Sequence, residues 1–503
     1  MTALRGAPPL PAPDDVVLPG GVRVAGGAGG TLAHLEDLAA AAAALDRAAD
    51  ALADAAIEVL RLQGVVEAAS PWSPATAPAA WSVLGPLRSS WSAPGPAAAR
   101  LRDRAAAVRG AAQLYRETDA HVARVVGQAV SAAGTWVGGL LGEAGPPGWV
   151  AAGALAVAAA PPLLVLSALG GGGHRLPSSG TVQLLMPGLA AFLRHAAPGR
   201  QAVTSAPVPG AARALGVASA LVTTHAGTPR PGLVVAPVVR PGAARGPSRD
   251  APRPTSAADV LRHVHALYPH PDDAPGAGTG GIPGTVGVQR LDHDDGRRTW
   301  VVAIPGTQDW SPVAGPNPMS LSSNFAIIGG APDDATRTVV EAMTQAGVAP
   351  GEPVLLAGHS QGGMVATAIA ADPALAERFA VAAVLTAGSP VAAVDLPAGV
   401  AALHLQHDGD YVWTLDGAAN PATPGRTTVS ADLAVAPDPV DRAAAGSPVT
   451  AHGIDVYART AERLATTDHP SLRAFDAAVA ALVGDGRTRV TTQRYVGVRV
   501  PGS

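Results

Sequence analysis

Cysteine is absent from the 503 residues, so an enzyme built on this chain needs an alcohol or a carboxylate as its nucleophile. Gly358-His359-Ser360-Gln361-Gly362 supplies an alcohol in a telling context: the apolar run PVLLA precedes it and a proline-free stretch to Asp372 follows. A sharp strand-to-helix turn would hold Ser360 exposed at its apex, and the positions two before and two after must be small for the turn to close. Acyl transfer also needs N–H donors aimed at the developing oxyanion. Two backbone amides are candidates, that of Gln361, directly after the serine, and that of Thr307 in Pro305-Gly306-Thr307, where the apolar run TWVVAI ends.

Three segments occur in order, IPGTQDW, AGHSQGG and TAGSPV. Together they resemble the lipase-like serine hydrolases, including class 3 lipases and PGAP1-like hydrolases, over roughly residues 257–503. The resemblance implies an α/β-hydrolase fold and hydrolysis of an ester through an acyl-serine, with neither metal nor cofactor. It also implies an acid in a D-x-V segment after the next strand, matched by Asp410 in HDGDYVW, and a histidine near the C-terminus. His452 in TAHGIDVY fits the latter, with Tyr457 following a few residues on. The resulting order, Ser360, Asp410, His452, is that of α/β-hydrolases. Asp408 is the rival acid. His469 is the rival histidine, its TTDHPSLRAF context reading as a solvent-exposed helix start; His404 and His407 are second choices, and His359 is expected to pack beside the elbow.

These residues need a scaffold, and the chain from 256 to 503 reads as one. TVGVQRLDHDDGRRTWVVAIPGT predicts a hairpin through an Asp-Gly turn, and short apolar runs then alternate with helical stretches, the rhythm of a mostly parallel sheet flanked by helices. The insertion from Gln308 to Pro332 lies where substrate would approach Ser360, as a lid or as an ordinary surface excursion. Pro231 to Pro254, rich in Pro, Gly and Arg, predicts a linker over 231–255.

Residues 31–230 predict an all-α region. Thr31 to about Gln63 and Ala97 to Trp136 are proline-free runs with helical periodicity, giving a hairpin over 31–136 whose connector, Ser70 to Pro96, should dock by Trp72, Trp81 and Trp91. An apolar segment at 148–170 is long enough to span a bilayer, which takes roughly 20 residues, but Pro161 and Pro162 divide it, so a buried broken helix competes with membrane contact. Further helix is expected over 181–224. The hairpin resembles the WXG100 and EspC-like helical proteins of actinobacterial type VII secretion through AAQLYRETDAHVA, which holds Tyr115 and Asp119 in Y-x-x-x-D spacing; Trp136-Val137-Gly138, however, follows the second helix instead of joining the two. That resemblance implies a helical partner or secretion machinery docking on 31–136.

The formal net charge of −4 leaves no basic field for nucleic acid. Residues 1–30 read as disordered or extended, and Asp14 and Asp15 early in an interrupted apolar stretch do not make a signal peptide. The expected location is the cytoplasm or export by a type VII-like route, with membrane association open.

Overall fold

The structure, a computed structural model, describes residues 16–29, 31–90, 92–113, 212, 232–238, 252–268, 282–311 and 314–500. The segments 148–170 and, Ala212 apart, 181–224, with Trp91, Tyr115, Asp119 and Trp136 to Gly138, lie outside them. The chain divides into two units, residues 31–126 and the remainder.

The larger unit is built on one ten-stranded sheet. In chain order its strands are β1 (Val16–Leu18), β2 (Val22–Gly26), β3 (Gly232–Pro237), β4 (Thr285–Asp292), β5 (Arg298–Ile304), β6 (Pro353–His359), β7 (Ala380–Ala387), β8 (Ala401–His407), β9 (Arg426–Ala431) and β10 (Arg489–Val500). They lie in the order β1-β2-β9-β8-β7-β6-β5-β4-β10-β3. β5 to β9 run parallel, and antiparallel strands extend both edges. The expected hairpin is β4–β5, turning at Asp295-Gly296, with Gly296 at φ +84°.

Alternation along each strand loads both faces. Leu355 and Ala357 of β6 point into one core with Leu385, Leu405, Leu261 and Phe475, whereas Val354 and Leu356 point into the other with Trp300, Val302, Met343 and Ile369. Helices cover each face through apolar positions three and four apart. Ala257, Ala258, Val260, Leu261 and Val264 are the buried set of the helix Ala257–His265. Asp333 caps the helix Asp334–Ala346 by accepting from the Thr336 amide, and Gly347, left-handed at φ 85°, ends it.

The segment read as disordered or extended and the stretch read as a linker both contribute strands. Within residues 1–30, Val16–Leu18 and Val22–Gly26 form a hairpin that pairs with β9 at one edge of the sheet. Within the stretch expected as a linker, Gly232–Pro237 pairs with β10 at the other. The reason is local: GLVVAP and VRVAG place β-branched side chains on a pleated surface between turn formers, a strand signal too short to outweigh flanking Pro and Gly.

The smaller unit contains an antiparallel helical hairpin. The helix Thr31–Ala69 packs on helical residues 94–113 along buried alanines, Ala42 and Ala49 on one and Ala98, Ala105 and Ala112 on the other. The spacing of seven keeps these small side chains on one seam and lets the helices approach closely. Arg109 reaches Asp46 and Arg102 reaches Asp50 at its margin. The connector is not a tryptophan-docked loop: Ala77–Ser89 is helical, its Leu84 carbonyl accepting from buried Gln63, while Trp72 is 88% exposed and Trp81 37%. Trp91 lies outside the described residues, and among those described alanine packing closes this interface without aromatic anchors. Among the described residues no helix is long and apolar enough to cross a membrane.

Candidate functional site

Ser360 stands between β6 and the helix Gln361–Ala371 at φ 56°, ψ −121°. It is the one non-glycine at positive φ among the described residues, a strained conformation kept only where surroundings enforce it. The surroundings are visible. A methyl group at Gly358 would lie 2.1 Å from the Gly362 carbonyl carbon, and one at Gly362 would lie 2.2 Å from the Ile304 oxygen, so the turn closes only with glycine at both. The Ser360 amide donates to the Ala387 carbonyl at 2.9 Å, tying the elbow to the end of β7.

Asp410 follows β8 and is fully buried. Three donors converge on its carboxylate. His452 Nδ1 is 2.8 Å from Oδ2, the Tyr457 hydroxyl donates to the same oxygen at 2.7 Å, and the Val412 amide donates to Oδ1 at 2.8 Å. A carboxylate so bound is an acceptor, which places the His452 proton on Nδ1 and leaves Nε2 with its lone pair. The His452 side chain is 18% exposed. Gly388, left-handed at φ +58°, seals the pair: a methyl there would lie 2.7 Å from Asp410 Oδ2 and 2.9 Å from His452 Nδ1. The backbone that anchors the Ser360 amide at Ala387 thus runs directly against the Asp410–His452 pair.

The Pro305-Gly306-Thr307 turn reaches the elbow from β5. A methyl at Gly306 would lie 2.8 Å from Ser360 Cβ. Thr307 and Gln361 are buried, and among the described residues neither backbone amide meets an acceptor. Their side chains are held, Thr307 Oγ1 accepting from Asn324 and Gln361 Nε2 donating to the Ser320 carbonyl. Both partners belong to the insertion after Gln308, which buried Arg499 fastens through the Gly315 and Asn317 carbonyls and the Ser320 and Ser323 hydroxyls, with Asp334 as counter-ion. The described part of this insertion from 314 to 323 is therefore fastened to β10, whereas Trp310 is 54% exposed.

The rival residues go elsewhere. Asp408 pairs with Arg23 of β2 at 2.6 Å. His469 caps the helix Pro470–Val483, as its context suggested, but is buried, not exposed to solvent, with Nδ1 accepting from Ser471. His404 is held between Thr386 and Arg426, and His407 stacks on Tyr457 with ring centroids 3.8 Å apart. Tyr268, whose hydroxyl accepts from the Gly306 amide and meets His359 Nδ1, Gly388, and the hydroxyl that Tyr457 turns to the carboxylate were not read from the sequence. Gly388 lay within TAGSPV, whereas Tyr268 carries no motif.

Burial depresses five histidines, His263, His359, His404, His407 and His469. His407 is lowered to about 4, chiefly by desolvation, and His359 and His404 are held well below the ordinary value by the same cause, with nearby His452 and Arg426 adding to it respectively. The unfolded chain takes up these protons near pH 6.5, while folded His407 resists until about 4, so stability is intact above that window and falls as pH drops through it. For His407 alone the loss is on the order of 3 kcal/mol. Asp416, raised to about 6 by burial, opposes this over the same range. Denaturant unfolding between pH 7.5 and 4.5 should show a steady fall in midpoint, which a flat profile would contradict.

Residues 333–431 match a family model described as "PGAP1-like alpha/beta domain". The match spans β6 to β9 and includes Ser360 and Asp410; Thr307, His452 and the helical hairpin lie outside it. No curated protein and no solved structure shows a significant match to the chain. Residues 333–431 are thus similar to a PGAP1-like α/β domain, and the sheet with its parallel centre fits the α/β-hydrolase superfamily.

Proposed function

We propose that the protein is a serine hydrolase that cleaves an ester, lipid esters included, through an acyl-Ser360 intermediate. The observation that carries this reading is the buried Asp410 carboxylate holding the Nδ1 proton of His452 against Gly388, whose neighbour Ala387 anchors the amide of a serine in an enforced elbow.

His452 Nε2 removes the hydroxyl proton as Ser360 Oγ attacks the ester carbonyl, and Asp410 steadies the imidazolium that results. The oxyanion is received by the Thr307 and Gln361 amides. Collapse expels the alcohol, which takes the proton from His452, leaving acyl-Ser360. Water then repeats the sequence, with His452 as base, to release the acid and restore the serine. No metal or cofactor enters these steps.

A fluorophosphonate probe labels a serine that a base and an oxyanion site activate. Stoichiometric labelling of folded protein, with the adduct mapped to Ser360, is the expected result. Absence of label, or its appearance on another serine, would sink this reading. A second reading would then take its place, an interaction protein whose hydrolase fold is a scaffold. What supports it is the apolar surface of the hairpin, where Ile57, Val65, Trp72 and Val83 are each more than half exposed.

A further inference from the structure

Three loops must hold register for the proposed reaction: the turn carrying Thr307, the elbow, and the segment carrying His452. One hydrogen-bond chain crosses all three. The Gly306 amide donates to the Tyr268 hydroxyl at 2.5 Å, that hydroxyl lies 2.6 Å from His359 Nδ1, and His359 Nε2 lies 2.8 Å from the His452 carbonyl oxygen.

Chemistry assigns every proton in this chain. A carbonyl oxygen only accepts, so Nε2 of His359 carries the hydrogen. The amide only donates, so the Tyr268 oxygen accepts from Gly306 and sends its own hydrogen to Nδ1, which must be unprotonated. A charged His359 breaks the pattern, since Nδ1–H would then meet the hydroxyl hydrogen or force it off its partner. The ring is buried, and its centroid lies 4.5 Å from that of His452. A cation there would oppose the imidazolium that catalysis forms on His452. Burial and the nearby His452 both favour the neutral ring.

We propose that Tyr268 and His359 are positioning residues that lock the oxyanion turn, the nucleophile elbow and the His452 segment together through one directed hydrogen-bond chain around a neutral His359. This rests on the hydrolase reading for its catalytic consequence, but not for the chain itself.

Two measurements test it. In nitrogen-15 spectra of the full protein, with His359 assigned by the resonance lost in His359→Gln, the ring should appear as the neutral Nε2–H form at pH 7 and stay so at pH 5.5. Tyr268→Phe removes one hydroxyl. It should lower the second-order rate of fluorophosphonate labelling about tenfold, the scale of one hydrogen bond, and shift the His359 Nδ1 resonance towards that of an unbonded nitrogen.

A wild-type ring that is charged or protonated on Nδ1 at pH 7 overturns the proposal whatever the folding of the variant. A labelled wild type beside an equally fast Tyr268→Phe overturns the positioning role and leaves the hydrolase intact. A folded wild type that takes no label overturns the hydrolase reading and the positioning role with it, while the spectrum still decides the proton assignment.

Discussion

Asp410→Asn should lower kcat/KM for a chromogenic short-chain ester by about 10⁴-fold, while Asp408→Asn stays within about threefold of wild type. The two carboxylates sit two residues apart and differ in what they face. Asp410 is fully buried and takes the His452 proton donor and the Tyr457 hydroxyl on one oxygen. An amide there presents either an NH₂ group, which repels both donors, or an uncharged oxygen, which no longer steadies an imidazolium. In the first case His452 turns its lone pair towards residue 410 and its proton towards the serine, the wrong tautomer for a base. Asp408, at 32% side-chain exposure, meets Arg23, and a partly exposed ion pair contributes little to stability. Equal losses from the two substitutions would show that the acid has been misassigned.

A fragment comprising residues 252–503, which retains every residue of the proposed site, should show no cooperative unfolding transition and should aggregate. It lacks β1 and β2, which cover β9, and β3, which covers β10, so both edges of the remaining sheet offer unpaired backbone. It also loses the Arg23–Asp408 contact and the Gly29 amide's bond to Ser471. The comparison is a variant that keeps residues 1–30 and 232–503 and replaces 31–231 with a flexible linker. β2 and β3 are separated by seven intervening strands, or roughly 38 Å at the usual spacing, which a linker of about 45 residues spans without strain. This variant should unfold cooperatively in a calorimeter. Cooperative melting of 252–503 alone would show the edge strands to be dispensable.

Much of the site was legible because its steric and chemical demands fall on neighbouring residues. Gly358 and Gly362 are where the elbow closes on itself, and Gln361 must follow Ser360. Asp410 and His452 came from chain order and from family resemblance, and the bond between them needed coordinates. Tyr268 could not be found, because it acts through a contact 91 positions away with His359, and nothing local marks such a residue. The α/β alternation was legible over 256–503 since the central strands β5 to β8 carry apolar runs. The edge strands were hidden by brevity: three residues for β1 and five for β2 leave no period to measure. Trp72 and Trp81 misled in the hairpin connector, where the large side chain suggested an anchor and, among the described residues, a seam of alanines supplies the packing.

The interruption of one sheet by residues 31–231 bears on the order in which this chain acquires structure as it is synthesised. β2 pairs with β9 about 400 residues later in the chain, a delay of at least 20 seconds at ordinary translation rates of roughly 5–20 residues per second. β3 waits for β10, about 260 residues later. The parallel centre can assemble only from the later part of the chain, so its first products have bare edges, with their covering strands already present but not yet paired. Folding of this kind, dominated by contacts distant along the chain, is slow and exposed to misassociation. During that interval the helical hairpin, whose contacts are local, is already able to fold.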